Sequence, residues 1–376
     1  MSNILYWLAD TTACGYYRCL LPGSALQAKG HRVIASETVD LNAEPGEGTI
    51  TDAMIQACDV LVGQRIGKPG PSKLWQSIAR AKGRSHPLVY ELDDDVFALA
   101  EDPTNPNQPY WPERLVDVVK NLACSDAVTV STAPLADVVS RFTSAPVHVV
   151  PNAIREGLIE SASPRHWINE DTIVELVTAG WGPTIGWSGS ATHDGDWAHQ
   201  NNARSVARWL HARGRKAGWQ LTTIGHPPAP LVRAAPEPWE IIPGQSNIET
   251  YYTLLGTNFD IGLAPLAPTR FNQSKSSLRL LELSALGIPW VASDVGPYGP
   301  DSLARGGLRV RRARDWWEAL NVLTTDPHIR QEARRVGQEW ARTRTVNRVL
   351  PLWESALGLP TSPGAPDRAA AGGKAP

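Results

Sequence analysis

Residues 271–300 read FNQSKSSLRLLELSALGIPWVASDVGPYGP, an apolar helix opened by a basic residue and serines and carrying one glutamate at its middle. A helix that buries most of its faces avoids charge unless the charge has a partner. On helical spacing Lys275, Arg279 and Glu282 follow an i, i+4, i+7 progression along one edge. Lys275 and Glu282 then lie about 10 Å apart along the axis, comparable to the span from a diphosphate to the ribose of a nucleotide. The helix start offers unpaired N–H groups and the positive end of its dipole. Ser274, Ser276 and Ser277 add hydroxyls, a set suited to phosphate. Glu282 is an acceptor suited to two vicinal ribose hydroxyls. The competing account is an Arg279–Glu282 pair on a partly exposed edge, worth a few tenths of a kcal/mol.

Outward from this segment, short apolar runs alternate with helical ones. NILYWLA, HRVIAS, DVLVGQR, PLVYELDDD, AVTVST and PVHVVPN read as strands of a first unit, and PTIGWSGS, WQLTTIG, WEIIPG, FDIGLAPL, PWVASD and LRVRR as strands of a second. Helical stretches separate them, which predicts parallel sheets covered on both faces. Such sheets bind ligands at the carboxyl ends of their strands. At 376 residues the chain exceeds one ordinary core, so two domains are expected. The polar, irregular stretch near 155–180 reads as the hinge and the Pro/Gly/Ala-rich end as a disordered tail.

Composition narrows the class. With 42% apolar and 20% charged residues and no apolar run long enough to span a bilayer, the chain reads as a globular protein without a transmembrane segment. MSNILYWLAD lacks a signal-peptide pattern, which points to the cytoplasm, where Cys14, Cys19, Cys58 and Cys124 are free thiols. A net charge of −2 argues against a partner as large and acidic as a nucleic acid, though a small basic cleft remains open.

The run NQSKSSLRLLELSALGIPWVAS resembles the nucleotide-binding segment of family-4-type glycosyltransferases of the GT-B fold, in which a glutamate-bearing helix precedes an A-x-G-x-P-V-V-A-S strand. GYYRCLLPGSALQAKGHRV is similar to that family's first loop and helix, VHVVPNAI to its V-I-P-N-G, and FDIGLAPL to the strand before the nucleotide helix. The resemblance covers about residues 4–355. It implies two Rossmann-like domains facing a cleft, and transfer of a sugar from a nucleotide-sugar donor, with retention and without cofactor or obligatory metal. The acceptor stays unidentified.

Two departures stand out. The first of the family's two glutamates is Ser274 here, and the loop GWSGSATHDGDW lacks the arginine and lysine that hold the diphosphate. Gly189 and Ser190 offer backbone N–H groups instead, with His193 nearby and Lys275 as the cation. On the first domain, Gly15 marks the turn after the first strand, from which Arg18 is expected to reach the donor phosphates or an anionic acceptor. Arg65 ends another strand on the same side. Asp93, Asp94 and Asp95 end a third strand; they formally match D-x-D, and are read as positioning an acceptor hydroxyl rather than a metal, or as a solvated strand end capping the next helix. Trp187 and Trp290 either stack on a base or sugar or pack in the core, with the core favoured.

The expected organisation is an acceptor domain over 1–155, a hinge over 156–170, a nucleotide-sugar domain over 171–345, a closing helix over 346–359 returning to the first domain, and a tail over 360–376. Expected catalytic residues are Arg18, Asp93, Asp94 and Lys275. Gly15, Gly189, Ser190, His193, Ser274, Lys275, Ser276, Ser277 and Glu282 are assigned to the donor, and Arg65 and Asp95 to the acceptor. Three other activities fit the same residues: a nucleotide-sugar epimerase, a glycosyltransferase acting on nucleic acid bases, and a non-catalytic nucleotide-sugar binder.

Overall fold

Strands buried on both faces need continuous apolar runs, and each such run forms one. The computed structural model describes residues 1–44, 48–103, 105–161, 184–235, 240–299 and 303–360. In chain order the strands are β1 (Asn3–Trp7), β2 (Arg32–Ser36), β3 (Thr38–Val39), β4 (Thr49–Ile50), β5 (Val60–Gln64), β6 (Leu88–Leu92), β7 (Ala127–Val130) and β8 (Val147–Val149). They continue with β9 (Thr184–Gly189), β10 (Gln220–Gly225), β11 (Glu240–Ile242), β12 (Ile261–Ala264), β13 (Trp290–Ser293) and β14 (Gly307–Val310). One six-stranded sheet has the order β2-β1-β5-β6-β7-β8, the other β11-β10-β9-β12-β13-β14. Every pairing in both is parallel, as between Leu5 and Leu61 or Gly186 and Thr222. This is the expected class, two Rossmann-like parallel sheets. The small β3–β4 ribbon was not foreseen, because two-residue strands carry no periodic signal.

Strand order reverses between β1 and β5 in the first sheet and between β9 and β12 in the second. Loops leaving a reversal diverge and open a crevice at the strands' carboxyl ends. The turns after β1, β5 and β9 therefore carry Gly15, Arg65 and His193 to the seam between the sheets.

The quoted segment is not one helix. A short helix Arg270–Gln273 ends, and a second, Leu278–Ala285, begins after Ser277. Lys275 lies in the break, so the expected single edge running from Lys275 to Glu282 is corrected; only Arg279 and Glu282 share the helix. The serines explain the break, since their polar atoms serve contacts outside it. Thr132 Oγ1 donates to the Ser274 carbonyl at 2.7 Å, and Asn152 Nδ2 donates to Ser276 Oγ at 2.9 Å.

The last helix, Val346–Ala356, packs on Leu21–Ala28 of the first sheet's domain. Lys29 pairs with Glu354 at 2.8 Å, and Trp353 lies beneath the Arg18 guanidinium at 4.9 Å. The chain segments leaving and re-entering this domain lie side by side. Ile154 N–H donates to the Arg344 carbonyl at 3.0 Å, and Val346 N–H to the Ile154 carbonyl at 2.8 Å. Residues 162–170 of the expected hinge and the tail beyond 360 lie outside the described residues. Among the described residues no helix is long and apolar enough to cross a membrane, and all four cysteines are free thiols.

Candidate active site

On the second domain, the turn after β9 and the helix Leu278–Ala285 converge. Gly189 is required there, because a Cβ would press on the Trp187 ring at 2.7 Å and on Arg279 at 3.1 Å. Arg279 therefore lies directly against the strand end, over the buried Trp187 face at 5.7 Å. Its Nη2 donates to His193 Nε2 at 3.2 Å, and because arginine only donates, Nε2 accepts. His193 Nδ1 must then carry the proton, which it gives to Asp196 Oδ2 at 2.7 Å. Burial, with Arg279 and Lys275 adding repulsion, pushes the imidazole down to about 3, so His193 stays neutral.

Asp196 is the hub of this turn. Its Oδ1 accepts from Ala267 N–H and Asn272 Nδ2, each at 2.8 Å, joining the loops after β9 and β12. Burial alone would raise its carboxyl; the His193 contact and the backbone N–H outweigh that and hold it below the usual range. The Arg279–Glu282 pair weighed from spacing is not what these side chains form. Arg279 turns to His193, and its Nη1 is buried without a hydrogen-bond partner among the described residues. Ser190 lies close by, its Oγ 2.7 Å from Thr192 Oγ1.

Glu282 is 6% exposed and ringed by tyrosines. Its Oε1 accepts from Tyr17 of the first domain and its Oε2 from Tyr251 at 3.4 Å. Tyr251 also meets Ser188 Oγ at 3.0 Å. Burial raises the Glu282 carboxyl to about 7, although Tyr17, Arg279 and Tyr251 favour its charged form. Neither tyrosine was picked out from sequence; the signal available was two Tyr-Tyr pairs, at 16–17 and 251–252.

Across the seam, Arg65 directly follows β5 with φ of 45°, a left-handed backbone that side chains rarely adopt and that recurs at functional sites. Its guanidinium pairs with Asp10 at 2.8 Å and approaches Cys14 Sγ at 3.8 Å. The Cys14 sulfur and carboxylate oxygens of Asp93 and Asp94 lie within 4.8 Å of one another. Burial, reinforced by Asp93, pushes Asp94 up to about 6 against the pull of Lys275. Gly15 supports this corner, since a Cβ there would overlap the Asp10 carbonyl. Asp94, Arg65, Lys275, Gln64, Trp111 and Thr192 help line a cavity of about 430 Å³ between the domains. Lys275 Nζ stands 4.7 Å over the Phe271 ring, and burial lowers its ammonium despite Asp94 nearby.

Three expectations are corrected. Arg18 does not reach into the seam. It is 1% exposed, pairs through Nε with the fully buried Glu91 at 2.6 Å, and donates to the Val150 carbonyl at 2.6 Å and Asn152 Oδ1 at 3.0 Å. Glu91, a lone acid in the apolar run LVYEL, was the overlooked signal, because a buried charge demands a partner. Asp95 is buried as the cap of helix Val96–Glu101, accepting from Ala98 N–H at 2.9 Å, and cannot also face an acceptor. Ser274 is likewise buried, its hydroxyl directed at Asp95 Oδ2 at 3.4 Å. Ser277 precedes the helix without a side-chain capping bond.

No family profile matches the chain, and neither does any curated sequence. Solved structures do. Sucrose-phosphate synthase from Thermosynechococcus elongatus aligns at TM-score 0.62 and 14% identity, over 94% of this chain and 98% of that one. Anabaena HepE in complex with UDP-glucose aligns at 0.62 and 12%, over 96% and 100%. An alpha-glucosyltransferase in complex with UDP-glucose and DNA containing an abasic site aligns at 0.61 and 12%, over 91% and 95%. Two parallel six-stranded sheets meeting at their strand ends, and end-to-end agreement with these glycosyltransferases, give the chain the GT-B fold.

Proposed function

We propose that the chain is a glycosyltransferase whose second domain holds a nucleotide-sugar donor and whose first domain presents the acceptor. The observation that carries this is Arg279: a half-buried guanidinium whose Nη1 is buried and unpartnered among the described residues, backed by a neutral histidine and set against the Gly189 turn. A cation of this kind asks for an anion. Burial lowers the Lys275 ammonium and repulsion from Arg279 adds to it, so the two cations share one zone. Together they take the place of the arginine and lysine missing from the loop after β9. The donor diphosphate lies between them, and Glu282, three residues along the same helix, takes the ribose.

Charge builds on the departing diphosphate as the sugar carbon becomes cation-like, and fixed cations in a water-poor site stabilise that charge. His193 contributes by holding Arg279 in place while staying neutral. Asp94 orients the acceptor hydroxyl in the cavity. Arg65 already balances the Asp10, Asp93 and Asp94 carboxylates, so the reading includes no obligatory metal there; retention rests on the resemblance of the 271–293 segment to the family. One structural neighbour holds DNA, but a net charge of −2 supplies no broad basic field for a duplex, which favours a small acceptor.

The test is thermal denaturation with UDP-, GDP- and ADP-sugars. A true donor at a hundred times its Kd stabilises the protein by about 2.7 kcal/mol. Absence of a shift with all of them overturns the proposal. Incubation with donor alone separates an epimerase, which changes the sugar, from a transferase. Donor binding lost in Glu282→Ala, with no turnover in the parent, marks a non-catalytic binder.

A further inference from the structure

We infer that Tyr17 is a gatekeeper that occupies Glu282 in the empty enzyme and must yield it to the donor. This rests on the reading of Glu282 as the ribose ligand. Tyr17 belongs to the first domain, is 3% exposed, and among the described residues its hydroxyl bonds only to second-domain partners. Its O–H donates to Glu282 Oε1, leaving its oxygen to accept from the Tyr252 O–H at 2.5 Å. The carboxylate oxygen that vicinal hydroxyls need is therefore filled by a phenol from across the seam.

Tyr17 sits in a widened π-helical turn, Tyr16–Leu20, a distortion that recurs at functional sites. The next residue, Arg18, is fixed to Glu91, Val150, Asn152 and Trp353 within the first domain. The backbone under Tyr17 cannot swing away by itself. Release of Glu282 therefore couples to separation of the domains, and donor binding to opening. Among the described residues the ion pairs across the seam, Arg155–Glu249 and Arg270–Glu101, have exposed partners and hold it weakly, while the bonds of Thr132 to Ser274 and Asn152 to Ser276 are part-buried. The tyrosine relay is fully buried, and it keeps water from Glu282 when no donor is present.

The experiment measures binding of UDP, GDP and ADP by calorimetry to the full chain and to the variants Tyr17→Phe, Tyr252→Phe and Glu282→Ala. Losing a competing hydrogen bond to a carboxylate predicts about tenfold tighter nucleotide binding in Tyr17→Phe. Tyr252→Phe should shift in the same direction by less, because its hydroxyl supports Tyr17 rather than Glu282. Unchanged or weaker binding in Tyr17→Phe overturns the gatekeeper role, and so does the absence of binding to both parent and variant. If Tyr17→Phe does not fold, Tyr252→Phe decides alone, and unchanged or weaker binding there overturns the role. Glu282→Ala answers separately: unchanged affinity there refutes the ribose reading, whereas lost affinity with no gain in Tyr17→Phe refutes only the gate.

Discussion

Replacing Arg18 by methionine separates a structural from a catalytic role. The guanidinium makes an ion pair with Glu91 at 2.6 Å, hydrogen bonds to the Val150 carbonyl and Asn152, and a face contact with Trp353, all at 1% exposure. Methionine fills much of the volume but leaves a fully buried carboxyl alone. Breaking a buried pair in this way costs about 3–5 kcal/mol, and at about 2–4 °C per kcal/mol for a unit of this size the Tm should fall by roughly 10 °C. Glu91 already stands at about 7, raised by burial against the pull of Arg18. A carboxyl raised on folding gives stability that is present below its unfolded value and lost as pH rises through the folded one. The loss in Arg18→Met should therefore be larger at about pH 8 than at about pH 6. The double variant Arg18→Met/Glu91→Leu should recover part of it, since an apolar pair avoids the stranded charge. Calorimetric melts across pH measure all three effects. A Tm unchanged within about 2 °C, with turnover lost, would restore Arg18 to the chemistry.

Arg279→Met should weaken UDP or donor binding by about 10–100-fold, the worth of charge-assisted bonds near 1.5–3 kcal/mol, and calorimetry reads this directly. Nucleotide binding should strengthen as pH rises through about 7, where burial has placed Glu282, because only its carboxylate accepts two hydroxyls; a Kd flat across that range contradicts the ribose role. The same raised carboxyl contributes stability below its unfolded value and loses it as pH passes about 7. Gly15→Ala should destabilise by about 1–3 kcal/mol, since its Cβ would meet a backbone carbonyl that cannot step aside. Addition of a chelator should leave turnover unchanged; abolished turnover would make Cys14, Asp93 and Asp94 a metal site.

The fold was legible because its signals are local. A strand covered on both faces reads as an unbroken apolar run wherever its neighbours come from, so LVYEL and WVAS declare themselves. Arg279 and Glu282 could be singled out on the same ground, as charges on an apolar helix. Their partners could not. Arg18 meets Glu91 and Asn152 over 73 and 134 positions, and Tyr17 meets Glu282 over 265. Spacing along one element says nothing about such pairs. The break at Ser274–Ser277 was missed for the same reason, since its hydroxyls and carbonyls are claimed by Thr132 and Asn152 of the other domain. An isolated acid inside an apolar strand was a readable clue, but only to the existence of a partner.

The backbone bonds that tie Ile154 to Arg344 and Val346 hold the outgoing and incoming chains together like two leaves on one pin. A pair of lobes joined that way has little freedom to slide or twist. It can mainly swing, and points far from the pin travel farthest. The cavity walls bearing Asp94 and Lys275 belong to different lobes, so a swing on that pin parts them and brings them together again.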